Sequence, residues 1–92
     1  MLSGGTYRAF EIIGDSMMPT PSGSIIVGEK IENIENVKSN AAYIVVSKSE
    51  GIVYKRRMKS NKNKNRLNLV SDNRAYQPYQ VHHAAVLETW RD

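Results

Sequence analysis

Residues 41–58 read AAYIVVSKSEGIVYKRRM and carry the strongest β-structure signal in the chain. Residues 41–48 are rich in the β-branched and aromatic side chains that favour strands. The Ser-Glu-Gly sequence at 49–51 is typical of a hairpin turn, and the alternating pattern over 52–58 predicts a returning strand. This pair of segments therefore indicates an antiparallel sheet.

Shorter β-like segments lie on both sides of this hairpin. We predict strands over residues 7–13, 24–29, 67–70 and 81–90. Pro19 and Pro21 exclude regular helix and central strand, so residues 15–23 are predicted to form a shaped loop. No segment has a convincing long amphipathic pattern. The predicted fold class is mainly β, a compact domain of short strands and irregular loops with little helix.

Length and composition limit the number of domains and the kinds of site that the chain can contain. The 92 residues suffice for one domain, in which we expect residues 1–5 to be a flexible N-terminal segment or a remnant of cloning. The absence of cysteine excludes disulfides and thiolate metal sites, and we expect neither a metal nor a cofactor. No apolar run approaches the roughly 20 residues of a membrane helix, so we expect no membrane association and a cytoplasmic location.

The basic residues are concentrated in one segment. Seven of the 13 lysines and arginines lie within residues 55–66, in a chain of net charge +4. Such a cluster is compatible with nucleic-acid contact or with a solvated hairpin tip. The segment contains no aromatic side chain that could stack on bases, which favours the solvated tip.

Two residues suggest covalent chemistry. Ser16 lies in residues 14–19 (GDSMMP), a turn-like stretch, and Lys55 lies in the second strand of the hairpin. A serine hydroxyl becomes a good nucleophile when a base takes its proton, and a neutral lysine can act as that base. The alternative is structural, because serine in such a turn commonly bonds backbone groups and Lys55 could simply begin the basic segment.

A catalytic role would also require an oxyanion site and apolar surroundings. The backbone N–H groups of Ser16 and Met17 are the candidate oxyanion donors. We expect Met17, Met18 and Val53 to line the substrate cleft, where burial would lower the pKa of Lys55 and increase its neutral fraction.

Three blocks of sequence resemble the LexA-like peptidase family. They are residues 14–20 (GDSMMPT), 53–57 (VYKRR) and 69–78 (LVSDNRAYQP), and they occur in the order found in that family. The family comprises the C-terminal domains of LexA and phage repressors, together with the UmuD proteins. The resemblance spans about residues 10–90.

The resemblance implies a mostly β peptidase domain with a Ser-Lys dyad. Ser16 matches the family nucleophile and Lys55 matches its general base. Family members cleave their own chain upstream of the serine, commonly between Ala and Gly, when an activated RecA filament is present. In repressors, cleavage separates a helix-turn-helix DNA-binding domain from a domain that forms homodimers, and for this chain we expect DNA contact only through such a domain.

Some features depart from the family pattern. No Ala-Gly pair occurs, Gly4-Gly5 is the nearest small pair, and residues 84–86 read AAV where the family usually has Gly-x-Val. We therefore expect this chain to be a C-terminal fragment that lacks the DNA-binding domain. A UmuD-like polymerase accessory protein and a catalytically silent dimerisation or effector-binding module remain alternatives.

Residues 84–90 are predicted to form an apolar edge strand that pairs with a second copy.

Overall fold

The computed structural model describes residues 5–14, 16–32, 41–59 and 65–92. Residues 1–4 of the predicted flexible segment 1–5 lie outside the described residues, as does the middle of the basic segment, residues 60–64. No helix in the described ranges has the length and apolar character needed to cross a membrane.

The fold is a single antiparallel sheet. Its strands are β1 (Tyr7–Glu11), β2 (Ile25–Lys30), β3 (Ala42–Ser47), β4 (Gly51–Lys59), β5 (Arg66–Val70), β6 (Tyr79–His82) and β7 (Val86–Arg91), with one 3-10 turn at His83–Ala85. The strand order is β1-β2-β7-β3-β4-β5-β6. The prediction of a mainly β domain with short strands and little helix is confirmed.

The predicted hairpin forms the centre of the sheet. β3 pairs with β4 so that Tyr43 lies opposite Lys55 and Ile44 lies opposite Tyr54. Successive side chains of a strand point to opposite faces, and both faces of this hairpin are covered. One face contributes to an apolar cluster of Phe10, Ile12, Met17, Ile44, Tyr54 and Trp90. The other contributes to a cluster of Tyr43, Val45, Leu67, Leu69 and Val81.

The prediction for the end of the chain was wrong in two respects. Residues 81–90 do not form one strand, because the turn at His83–Ala85 separates β6 from β7. β7 is not an edge strand, since it lies between β2 and β3 and pairs with both. Trp90 on β7 is only 4% exposed and packs in the core. The burial of Thr89 and Trp90 therefore reflects the internal position of β7, whereas Leu87 on the same strand is 57% exposed.

Candidate active site

The serine lies in a closed loop between β1 and β2. Three backbone hydrogen bonds tie this loop together: Ile12 N–H to Ser24 O at 2.9 Å, Gly23 N–H to Ile12 O at 2.6 Å, and Thr20 N–H to Met17 O at 2.8 Å. Gly14 has a φ of +103°, a value that only glycine adopts easily. The hydrogen bonds thus hold the loop at both ends, and the backbone turns at Gly14, two residues before Ser16.

Met17 anchors the loop to the core. Its side chain is 2% exposed and belongs to the cluster that includes Phe10 and Trp90, whereas Met18 is 51% exposed. Ser16, directly before this anchor, is half-buried. Burial of Met17 therefore fixes the backbone on one side of the candidate nucleophile, and Met18 points away from that core.

Lys55 is buried on β4. It is 6% exposed, and its Nζ donates a hydrogen bond to Ser71 Oγ at 2.8 Å. The Nζ also lies 5.4 Å from the centre of the Tyr76 ring, in cation–π geometry. Burial lowers the pKa of Lys55, and the Glu50 carboxylate acts in the opposite direction. The neutral form required of a general base is therefore more accessible than for an exposed lysine.

The loop after β5 connects the serine loop to the lysine strand. Asn73 N–H donates to the Ser16 carbonyl oxygen at 2.9 Å, and Asp72 N–H contacts Met17 Sδ at 3.3 Å. Arg56, the neighbour of Lys55, donates two hydrogen bonds to the Asp72 carboxylate at 2.8 and 2.9 Å. These contacts hold the loop against both candidate catalytic residues. Residue chemistry alone gives no sign of this role, although residues 69–78 are part of the family resemblance.

Ser16 and Lys55 line the same cleft. The cleft has a volume of about 410 Å³ and lies between β1 and β4. Its lining comprises Arg8, Ala9, Phe10, Glu11, Ile12, Ile13, Ser16, Ile52, Val53, Tyr54 and Lys55. Of the three predicted apolar lining residues, Val53 is in this set, whereas Met17 lies in the core and Met18 on the surface. The hydrogen-bond partner of Lys55 Nζ in this arrangement is Ser71, not Ser16.

Two further parts of the site are the predicted oxyanion donors and Tyr54. The donors are the backbone N–H groups of Ser16 and Met17, which lie in the loop that the Met17 side chain anchors to the core. Tyr54 donates its hydroxyl to the Asp92 carboxylate, and burial together with this bond raises the pKa of Tyr54 well above its usual range. Tyr54 thus stays protonated and forms part of the cleft wall.

The two histidines, Tyr79 and Trp90 are not among the residues that line this cleft. His82 is exposed and His83 is half-buried, and the described ranges contain no group of three potential metal-ligating side chains. Tyr79 packs against the second apolar cluster and Trp90 lies in the first.

Comparison with known families assigns the chain to one of them. The Peptidase S24-like family model matches residues 1–89, almost the whole chain. The chain belongs to the Peptidase S24-like family. This is the family of the LexA and UmuD C-terminal peptidase domains, whose members are generally serine peptidases, so the resemblance found in the sequence is confirmed. No curated protein and no solved structure matched the chain.

Proposed function

We propose that this chain is the self-cleaving serine peptidase and dimerisation domain of a LexA-like transcriptional repressor, with Ser16 as nucleophile and Lys55 as general base. The observation that carries the proposal is the position of a half-buried serine and a buried lysine of lowered pKa along one cleft. Clustering of a perturbed titratable group with a nucleophile in a cleft is typical of active sites.

In the proposed reaction, Ser16 Oγ attacks the carbonyl carbon of a peptide bond and its proton passes to Lys55 Nζ. The N–H groups of Ser16 and Met17 stabilise the resulting oxyanion. When the C–N bond breaks, the Lys55 ammonium returns the proton to the leaving amine. A water molecule, deprotonated by Lys55, then hydrolyses the ester on Ser16.

The substrate would be an extended segment of the same polypeptide. The cleft runs beside β1, an edge strand of the described sheet, and its walls combine apolar side chains with the charges of Arg8 and Glu11. An extended segment could therefore place a peptide carbonyl near Ser16. Cleavage would occur in the cytoplasm, with a RecA filament as co-activator.

Homodimer formation is proposed on the basis of family membership. Because β7 lies inside the described sheet, the proposed dimer is not assigned to pairing along an edge formed by this strand. In this proposal, DNA is contacted by a helix-turn-helix domain, and the dimer places two such domains on a symmetric operator.

The experiment is intact-mass analysis of the encoded protein, including whatever sequence its gene places before Met1. The protein is incubated from pH 7 to pH 10 beside the Ser16→Ala and Lys55→Ala variants. We expect one cleavage whose rate rises with pH in the natural protein and is abolished in both variants. No cleavage at any pH, even with RecA filaments added, would contradict the proposal.

A second candidate is a catalytically silent dimerisation or effector-binding module. It is favoured by one observation, the hydrogen bond of Lys55 to Ser71 instead of Ser16. It predicts an unchanged mass under all these conditions, with oligomeric state unaffected by Ser16→Ala. A UmuD-like accessory protein would instead cleave, and the sequence upstream of the site would lack a helix-turn-helix.

A further inference from the structure

We infer that Arg8 is a specificity-determining residue: it binds an acidic side chain of the substrate about four residues from the peptide bond that Ser16 attacks. The inference deepens the proposed function and rests on it. Arg8 lines the same cleft as Ser16 and Lys55, but it lies near the start of β1, whereas the serine loop follows the end of that strand.

Strand alternation directs the Arg8 side chain toward the cleft. Arg8, Phe10 and Ile12 are spaced two residues apart, so their side chains share one face of the chain. Phe10 and Ile12 belong to the apolar cluster that also contains Tyr54, a residue of the opposite wall. Glu11, the other charged residue of the lining, alternates with them and points to the other face of β1. Arg8 is therefore the charged side chain of β1 that faces the cleft.

Two neighbours hold the Arg8 guanidinium in place and leave it accessible. Its Cζ lies 4.8 Å from the centre of the Phe10 ring, in cation–π geometry, and its Nη1 lies 3.9 Å from Glu88 Oε1. The second distance is longer than a hydrogen bond, and Glu88 Oε1 accepts one from Trp90 Nε1 at 2.9 Å. A guanidinium has five N–H donors. Because the Arg8 side chain is 54% exposed, it can donate to a carboxylate in the cleft.

The charges around Arg8 favour an acidic ligand over a basic one. Lys30 Nζ lies 5.9 Å from the centre of the Trp90 ring, which packs edge-on against Phe10. Arg8 and Lys30 thus bring two positive charges to this corner of the sheet, against the one negative charge of Glu88. Glu88 is not among the residues that line the cleft, whereas Arg8 is. An arginine can bind a carboxylate through two parallel hydrogen bonds, and it would repel a basic side chain.

The length of β1 sets the position of the acidic residue in the substrate. Four residues separate Arg8 from Ile12, where the serine loop begins, and this corresponds to about 13 Å of extended chain. A peptide that lies extended beside β1 with its scissile carbonyl at Ser16 therefore brings to Arg8 a side chain about four residues from that bond. The even spacing keeps this side chain on the face of the peptide that points into the cleft.

The test is the protection of Ser16 from a fluorophosphonate by short peptides, followed by intact mass of the encoded protein. Labelling forms a bond between Ser16 Oγ and phosphorus, releases fluoride and passes the serine proton to Lys55, so it requires the dyad but no peptide cleavage. The peptides are blocked at both ends, rich in alanine and built around a central Ala-Gly pair. Each carries one glutamate, placed two to six residues from that bond on either side, and its control carries glutamine at the same position.

The expected result is a preference for glutamate at one spacing. Glutamate four residues from the Ala-Gly bond, on one side of it, should protect Ser16 at a concentration about 3- to 10-fold lower than glutamine does, the effect of a bidentate pair at a half-exposed site. The preference should weaken as the salt concentration rises, because salt screens the pair.

Three variants separate recognition from stability. Arg8→Gln should abolish the difference between the glutamate and glutamine peptides. Arg8→Glu should reverse it, so that lysine at the same position protects better than glutamine, a result that a general loss of stability cannot produce. Lys48→Gln removes one positive charge from an exposed turn outside the cleft lining, and it should leave the glutamate preference unchanged.

The outcomes distinguish this inference from the proposed function. Equal protection by the two peptides, a preference confined to another spacing, or a preference that survives Arg8→Gln would overturn the role of Arg8 and leave the dyad intact. Labelling that is absent from the natural protein, or that persists in Lys55→Ala, would overturn the dyad and this inference together.

Discussion

Truncation of Met17 tests whether the serine loop is anchored to the core as described. Met17 is 2% exposed among Phe10, Ile12 and Trp90, whereas its neighbour Met18 is 51% exposed. Replacing a buried methionine with alanine costs about 2–5 kcal/mol, because lost transfer free energy is added to the cost of the cavity. We expect this loss for Met17→Ala and a change within about 0.5 kcal/mol for Met18→Ala. A domain of this size has a total stability of only about 5–15 kcal/mol.

The assay is urea unfolding followed by fluorescence of Trp90, the single tryptophan, which belongs to the same cluster. With a urea m-value of about 1–3 kcal/mol/M, a loss of about 3 kcal/mol lowers the midpoint by about 1–3 M. Met17→Leu, which nearly preserves volume, should cost less than about 1.5 kcal/mol. Equal midpoints for Met17→Ala and Met18→Ala would refute the anchoring of the loop.

Three further predictions concern stability. Gly28→Ala should cost about 1–3 kcal/mol, because the new Cβ would lie 2.7 Å from Trp90 Cβ; an unchanged melting temperature would count against the close β2–β7 approach. Lys55→Met should raise stability at pH 7, because the buried ammonium costs free energy below its lowered folded-state pKa. This advantage should shrink as the pH rises through the folded-state pKa toward 10.5, and a pH-independent difference would contradict the cause. Asp72→Asn should cost about 0.5–1 kcal/mol at pH 7. Its partner Arg56 lowers the pKa of Asp72 below the ordinary value of 3.8. The stability difference between Asp72→Asn and the natural protein should therefore vanish as the pH falls from 3.8 through the folded-state pKa. Acid titrations of the two proteins would measure this difference.

The sequence predicted those features that local patterns determine. Alternating apolar residues and a Gly-containing turn predicted the β3–β4 hairpin, and residue chemistry selected Ser16 and Lys55. Local patterns did not predict the strand order, because the position of β7 between β2 and β3 depends on pairings between segments distant in sequence. Adjacent identical residues show the same limit: nothing local distinguishes buried Met17 from exposed Met18. The Lys55–Ser71 hydrogen bond joins residues 16 positions apart, so it could be identified only from the folded structure.

The most direct test of the account is a titration of Lys55 itself. The protein is labelled with ¹³C-lysine, and the Lys55 resonance is identified as the one missing from Lys55→Met. Burial of the side chain predicts a midpoint below the ordinary value of 10.5, with a neutral amine available to accept the proton of Ser16. A midpoint at or above 10.5 would contradict the account, because the ammonium would then persist under cleavage conditions and could not act as the base.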